Sequence, residues 1–303
     1  MPRTHRIARA VALLLILGGL LAAPATALAP GRSGLYGGGA VSDYLHFVSL
    51  RVLPGGALTA HATLVTTCAP RFGDQLTESI SVRDVRLDAG GRYSATTSFS
   101  DRVDPGVPLT GGMFADGTIS FSVRVMAGGL ARGTVRVRTG YSRSEDGPEV
   151  SRCDTGSISW TARRPSPDAG AGGSTLQPGT HRGTTDQDEP FLMRVTSGGR
   201  LVRRAGLTVR VDCRSAIGLP LDVVAQRVRV RRGRFGAAGG FERPYTDPGG
   251  RQVVERYRWE LRGRFGRRGA RGTFELTGVV RRRSDGKKVG SCATGEIAWR
   301  AAR

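Results

Sequence analysis

Apolar side chains recur at every second position along many short runs of the chain. Examples are Phe121, Val123 and Val125; Val135 and Val137; and Ile158, Trp160 and Ala162. The same period returns at Leu207, Val209 and Val211; at Val228 and Val230; and at Tyr257, Trp259, Leu261 and Phe265. The positions between them are mostly Ser, Thr or Arg. Successive side chains of an extended chain point to opposite faces, so this pattern predicts strands with one face buried and one wet. Leu53-Pro54-Gly55-Gly56, Ala89-Gly90-Gly91 and Asp247-Pro248-Gly249-Gly250 separate the runs and are predicted as turns. No helix longer than a turn or two is expected beyond the N-terminal segment.

The strand pattern is written twice. Residues 131–164 and 270–303 align without a gap, and 15 of the 34 positions are identical. The clearest matches are Ala131-Arg132-Gly133-Thr134 with Ala270-Arg271-Gly272-Thr273, and Cys153 to Trp160 with Cys292 to Trp299. Upstream, Gly91-Arg92-Tyr93 matches Gly233-Arg234-Phe235, and Cys68 matches Cys213. Units of this length can each bury a core, unlike the short repeats of a solenoid. Between them, residues 165–179 have the Pro, Gly and Ser composition of a flexible linker. The expected fold is therefore all-β: two homologous antiparallel β-sandwich or jelly-roll-like domains at about 30–164 and 180–303, with seven or eight strands each.

Residues 1–29 combine a basic stretch with Arg3, Arg6 and Arg9, an apolar run from Val11 to Ala23, and the small-residue sites Ala25-Thr26-Ala27 and Ala27-Leu28-Ala29. These are the three parts of a secretory signal peptide, with cleavage expected after Ala27. The apolar run falls short of the ~20 residues that a spanning helix needs, which argues against a signal anchor. A secreted chain with four cysteines is expected to hold disulfides. Three pairings are open, and self-contained domains favour Cys68 with Cys153 and Cys213 with Cys292. The wide spacing does not suit a metal centre, which uses close Cys or His pairs, and no cofactor is expected.

Candidate catalytic groups are sparse. His46, His61 and His181 remain after the signal segment, none with a clear partner, and no GxSxG, HExxH or phosphate-binding Gly-rich loop occurs. Asp101 with Asp104, and Asp186 with Asp188 and Glu189, are the tight acidic clusters; both are read as solvated turns, and neither has EF-hand spacing. Trp160, Trp259 and Trp299 share parity with apolar neighbours, so they are expected in the core rather than on a sugar-binding face.

Charge separates the two halves. Residues 30–164 carry 15 arginines against 12 acidic residues, whereas residues 180–303 carry 28 basic residues against 12 acidic ones. The whole chain has a formal charge of +21. In the second half Arg227, Arg229 and Arg231 alternate with Val228 and Val230, and Arg258, Arg262 and Arg264 fall between apolar positions. Arg281, Arg282 and Arg283, with Lys287 and Lys288 nearby, form a further cluster. Like charges side by side on a sheet repel, and arginine's planar fork binds phosphate or carboxylate with two hydrogen bonds. These arginines are therefore candidates for binding an extracellular polyanion, such as an anionic cell-wall polymer or an acidic polysaccharide. The alternative is a solvated, highly charged surface. No recognition helix or aromatic RNA-binding sheet suggests a sequence-specific nucleic-acid reader.

The Gly-Arg-aromatic turn, the Ala-Arg-Gly-Thr strand start and the closing Cys-x-Thr-Gly-x-Ile-x-Trp-x-Ala pattern resemble secreted β-domain proteins of GC-rich actinobacteria, which carry the domain singly or in tandem. The resemblance covers both halves and implies secretion and an all-β fold. It implies no activity and assigns no site residue. Together these readings favour a secreted, non-enzymatic binding or envelope-associated protein. The competing class, a hydrolase acting on an extracellular polymer such as a polysaccharide, needs a pocket that encloses two carboxylates about 5–10 Å apart.

Overall fold

The computed structural model describes residues 32–41, 45–70, 76–103, 112–171, 177–213, 219–246 and 251–303. The expected signal segment, Asp104 and the turn at 247–250 lie outside these residues. Every regular element described is a strand, and among the described residues no helix is long and apolar enough to cross a membrane.

The first unit holds β1 (Gly34–Val41), β2 (Leu45–Val52), β3 (Ala57–Ala69), β4 (Leu76–Arg86), β5 (Arg92–Arg102), β6 (Phe114–Met126), β7 (Leu130–Ser142), β8 (Glu149–Asp154) and β9 (Ile158–Arg163). They form one antiparallel sheet in the order β4-β3-β2-β1-β9-β7-β6-β5, with β8 bridging β3 and β7. The second unit holds β10 (Gly179–Thr185), β11 (Pro190–Val195), β12 (Leu201–Cys213), β13 (Leu219–Arg231), β14 (Arg234–Thr246), β15 (Gln252–Gly266), β16 (Gly269–Arg282) and β17 (Lys288–Ala302). Its eight strands run in chain order and close on themselves as a barrel, β17 pairing with β10.

Two antiparallel all-β units are thus present, as the alternation predicts. The topology refines that expectation, because each neighbour in sequence is largely a neighbour in space, and the second sheet curls into an up-and-down barrel. β17 runs unbroken where the first unit divides the same stretch into β8 and β9. The seam lies at the same place in both units. Among the described residues β13 and β14 are paired only at Val230 with Phe235 and Arg231 with Arg234, beside the turn. Among the described residues β4 and β5 share only turn bonds, such as Asp88 N–H to Arg92 C=O at 2.9 Å.

Each unit has its own core. Tyr36, Leu50, Leu64, Phe121, Val135 and Trp160 belong to the first, and Phe191, Leu207, Leu261, Phe265, Phe274 and Trp299 to the second. Fully burying side chains of this size stabilises by roughly 1.5–3 kcal/mol each. Trp160 and Trp299 are buried as expected, and Trp259 is half-buried against Phe274. One core row decides the outer surface. Across β14 to β17, Phe235 pairs with Gly263, Gly263 with Gly272, and Gly272 with Trp299. The two rings close over the two glycines: a Cβ on Gly263 would lie 2.3 Å from Phe235 Cζ and 2.7 Å from Trp299 Cζ2.

Disulfides join Cys68 to Cys153 and Cys213 to Cys292, each within its own repeat. In both, the cysteines are directly opposed on neighbouring strands, β3 with β8 and β12 with β17.

The units meet through β1 and β2 on one side and β10 and β11 on the other. Leu45, Phe47 and Leu192 form a small apolar cluster there, and Arg51 ion-pairs with Asp188. The backbones approach so closely that a Cβ on Gly37 would lie 1.9 Å from the Gly183 carbonyl oxygen. Part of the stretch expected to be a linker is packed on the second barrel: Ala169 is fully buried, and Arg267 N–H donates to Ala171 C=O at 3.2 Å.

Candidate functional site

The core row Phe235–Gly263–Gly272–Trp299 points inward, so the residue one step away on each strand points outward. In antiparallel strands those steps run in alternate directions, and they bring Arg234, Arg264, Arg271 and Arg300 into line. The register confirms it: Arg234 pairs with Arg264, Arg264 with Arg271, and Arg271 with Arg300. Arg231 of β13 continues the row by pairing with Arg234. Five arginines thus stand on five consecutive strands, across about 19 Å at the usual strand spacing. Arg271 is half-buried and the other four are exposed.

A shallow furrow of about 500 Å³ runs beside this row, across the strands. Arg234, Arg264, Arg271 and Arg300 form one wall, Arg262, Thr273 and Ala298 the other, and the backbone of the glycine row is the floor. Among the described residues, no carboxylate ion-pairs with any of the five arginines in the row. Other arginines of this face are neutralised: Arg262 by Glu260 at 2.6 Å, and Arg256 by Glu242 at 2.8 Å. Beyond Arg262 the surface changes sign, because Glu260, Glu275 and Glu296 form an opposed row of their own.

The first unit repeats the arrangement. Arg92 pairs with Arg124 and Arg124 with Arg132 on β5, β6 and β7. They border a furrow of about 450 Å³ together with Tyr93, Ser94, Ser122, Val123, Gly133 and Asp88. By the repeat alignment Arg92 and Arg132 stand where Arg234 and Arg271 stand in the second unit, and cross-strand register puts Arg124 in the place of Arg264. Elsewhere on this sheet, Arg136 and Arg138 are held by Asp154 at 2.7 and 3.2 Å. The Arg136 hydrogen bond, aided by the Gly156 N–H, holds the Asp154 carboxyl down at about 2.

The arginines singled out by sequence are divided by the structure. Arg231 and Arg264 stand in the row, and Arg262 lines the opposite wall. Arg258 lies past the glutamate row on β15, and Arg227 and Arg229 lie further along β13, where Arg229 faces Leu201. Arg281, Arg282 and Arg283 are near the far end of β16, about 33 Å from Arg271 by strand rise; Arg282 is ion-paired with Asp285 at 2.9 Å. Alternation along single strands missed Arg234, Arg271 and Arg300. The signal that could have found the first two is that Gly-Arg-aromatic and Ala-Arg-Gly-Thr are the motifs the repeats share.

The other candidates have structural partners. His181 is fully buried, with Nε2 2.7 Å from Gln177 C=O, and His46 is buried on β2. His61 Nδ1 lies 2.8 Å from Ser81 Oγ, its cross-strand neighbour. Asp101 stands in β5 rather than a loop. Asp186 Oδ2 accepts the Ala298 N–H at 3.1 Å, and Glu189 is ion-paired with Arg210 at 3.2 Å. Asp188 and Glu189 border a cleft of about 170 Å³ between the units, beside Arg51 and His61. Burial raises the Glu189 carboxyl, and it pushes Asp222 up to about 6 although Thr208 Oγ1 donates to it at 2.6 Å. Glu255, buried beside Cys213 and Cys292, is ion-paired with Arg243 at 2.9 Å; the two sulfurs are committed to their disulfide.

No protein-family model and no curated protein matches the chain. Among solved structures, similarity is found to one described as a "putative outer membrane protein" from Bacteroides fragilis, at 10% identity and a TM-score of 0.23, covering 89% of this chain and 97% of that one. So low a score carries no argument about function.

Proposed function

We propose that the protein is an extracellular, envelope-associated binding protein whose second barrel holds an anionic polymer along the arginine row. The observation that carries this reading is the in-register row Arg231–Arg234–Arg264–Arg271–Arg300 beside an open furrow, with no carboxylate partner among the described residues. Directly opposed like charges cost stability on a sheet, and a ligand bearing repeated oxyanions offsets that cost through guanidinium forks. The two intra-repeat disulfides support an oxidising compartment, in keeping with the N-terminal signal pattern.

The test is retention of the full chain on an anionic polymer resin across a salt series. Exchanging Arg234, Arg264 and Arg271 together for Thr is expected to shift elution to much lower salt. The same number of exchanges at Arg281, Arg282 and Arg283 is expected to shift it far less. Equal shifts would mean that only total charge matters, and the row would lose its role.

A further inference from the structure

The first unit carries far less net charge than the second, yet it keeps the same three arginines in the same register. We infer that the furrow bordered by Arg92, Arg124 and Arg132 is a second site for a linear oxyanion polymer, so that one chain grips two segments. The inference rests on the reading given for the second barrel and extends it to a surface that the charge count alone passes over.

Three observations carry it. First, the furrows share five equivalent positions: Arg92, Tyr93, Arg124, Arg132 and Gly133 line one, which Asp88 also borders, and Arg234, Phe235, Arg264, Arg271 and Gly272 line the other, which extends further onto β17. Their volumes are also alike, about 450 and 500 Å³. Second, the surroundings have diverged while the three arginines have not. Ser122 stands where the second unit has Arg262, and Thr161 where it has Arg300. Two residues along the same strands Ser122 Oγ lies 2.8 Å from Thr134 Oγ1, so small neutral pairs satisfy this sheet and the fold does not require arginine. Third, no carboxylate among the described residues ion-pairs with Arg92, Arg124 or Arg132, although Arg136, Arg138 and Arg152 of the same unit all have one. A like-charge row that costs stability twice, at equivalent places, has the properties of a ligand-binding feature held in duplicate.

The second unit adds Arg231 and Arg300 to its row, neither of them ion-paired among the described residues. The first site is therefore the weaker of the two.

The experiment is calorimetric titration of the full chain with short linear polyphosphate, too short to bridge the two units, with oligogalacturonate in parallel to tell phosphate from carboxylate. The stoichiometry is read for whichever binds more tightly. The intact chain is expected to bind two molecules. The R92T/R124T/R132T variant is expected to bind one at the higher affinity, and the R234T/R264T/R271T variant one at the lower. With long-chain polymer, loss of the first row is also expected to lower the slope of log affinity against log salt by about 2–3. Thermal unfolding midpoints within a few degrees of the parent show that the variants are folded, and Arg-to-Gln versions replace any that are not. One site per chain, abolished by the second-row exchange and untouched by the first, overturns this inference and leaves the proposed function standing. Absence of binding to either polymer overturns both.

Discussion

Arg264 and Arg271 face one another directly across β15 and β16 on the outside of the second barrel, with no carboxylate ion-paired to either among the described residues. Their repulsion is unrelieved in the free protein, so binding and stability are opposed at this pair. The exchange Arg264→Gln is expected to raise unfolding free energy at low salt by about 0.2–1 kcal/mol. The gain should fade at high salt, where exposed charges are screened. Urea denaturation at two ionic strengths measures it, and a loss of stability would show that the side chain contributes more by packing than it costs by charge.

Asp222 gives the second barrel a pH response. Burial lifts its carboxyl to about 6 from 3.8, so between those values the folded state holds a proton that the unfolded chain has released. Stability therefore falls as pH rises through this window, by on the order of 3 kcal/mol in full, and is level above it. Glu189, also raised by burial, acts in the same direction. Asp222→Asn is expected to flatten most of the slope in urea midpoints taken between pH 4 and 7. Asp154, held low, works oppositely in more acid solution: its contribution is lost as pH falls toward 2.

Gly272 sits under the Trp299 ring. A Cβ there would lie 1.9 Å from the Arg262 carbonyl oxygen and 2.6 Å from Trp299 Cζ2. Gly272→Val is expected to cost about 1–3 kcal/mol or more, as overpacking does, and to displace the indole. Red-shifted tryptophan emission together with a lowered denaturation midpoint would register both effects. Gly133, under Trp160 in the first unit, is expected to behave alike.

Removing the Cys213–Cys292 bond as a pair of alanines frees a loop of 79 residues in the unfolded chain. The expected loss is about 2–5 kcal/mol, seen as a lower unfolding midpoint for the second unit. An unchanged midpoint would show that strand pairing alone fixes this end of the barrel.

Much of this fold is legible in the sequence because its causes are local. Alternation at Leu207, Val209 and Val211 follows from the pleat, and the duplicated cysteines sort into intra-repeat bonds because each repeat buries its own core. The arginine row was only half legible. Parity placed Arg231 and Arg264 on an outer face, but the partner of each depends on cross-strand register, which is set by where Phe235 and Trp299 find their glycines. Arg271 sits within Ala-Arg-Gly-Thr, whose duplication reads equally well as a packing motif. Closure of the second sheet was hidden for the same reason, since the meeting of β17 with β10 is a property of accumulated twist and not of any short stretch.

The arginine row runs along the hydrogen-bond direction of the sheet, at right angles to the strands. Tension on a polymer seated in the furrow would therefore peel neighbouring strands apart instead of sliding them past one another. In the second barrel such a pull divides around a hoop, one path through β17 and β10 and the other through the short seam between β13 and β14. The first sheet, which among the described residues has no ladder between β4 and β5, offers a single path. Under mechanical load the two halves would thus differ: the second is built to resist a drag that the first would yield to.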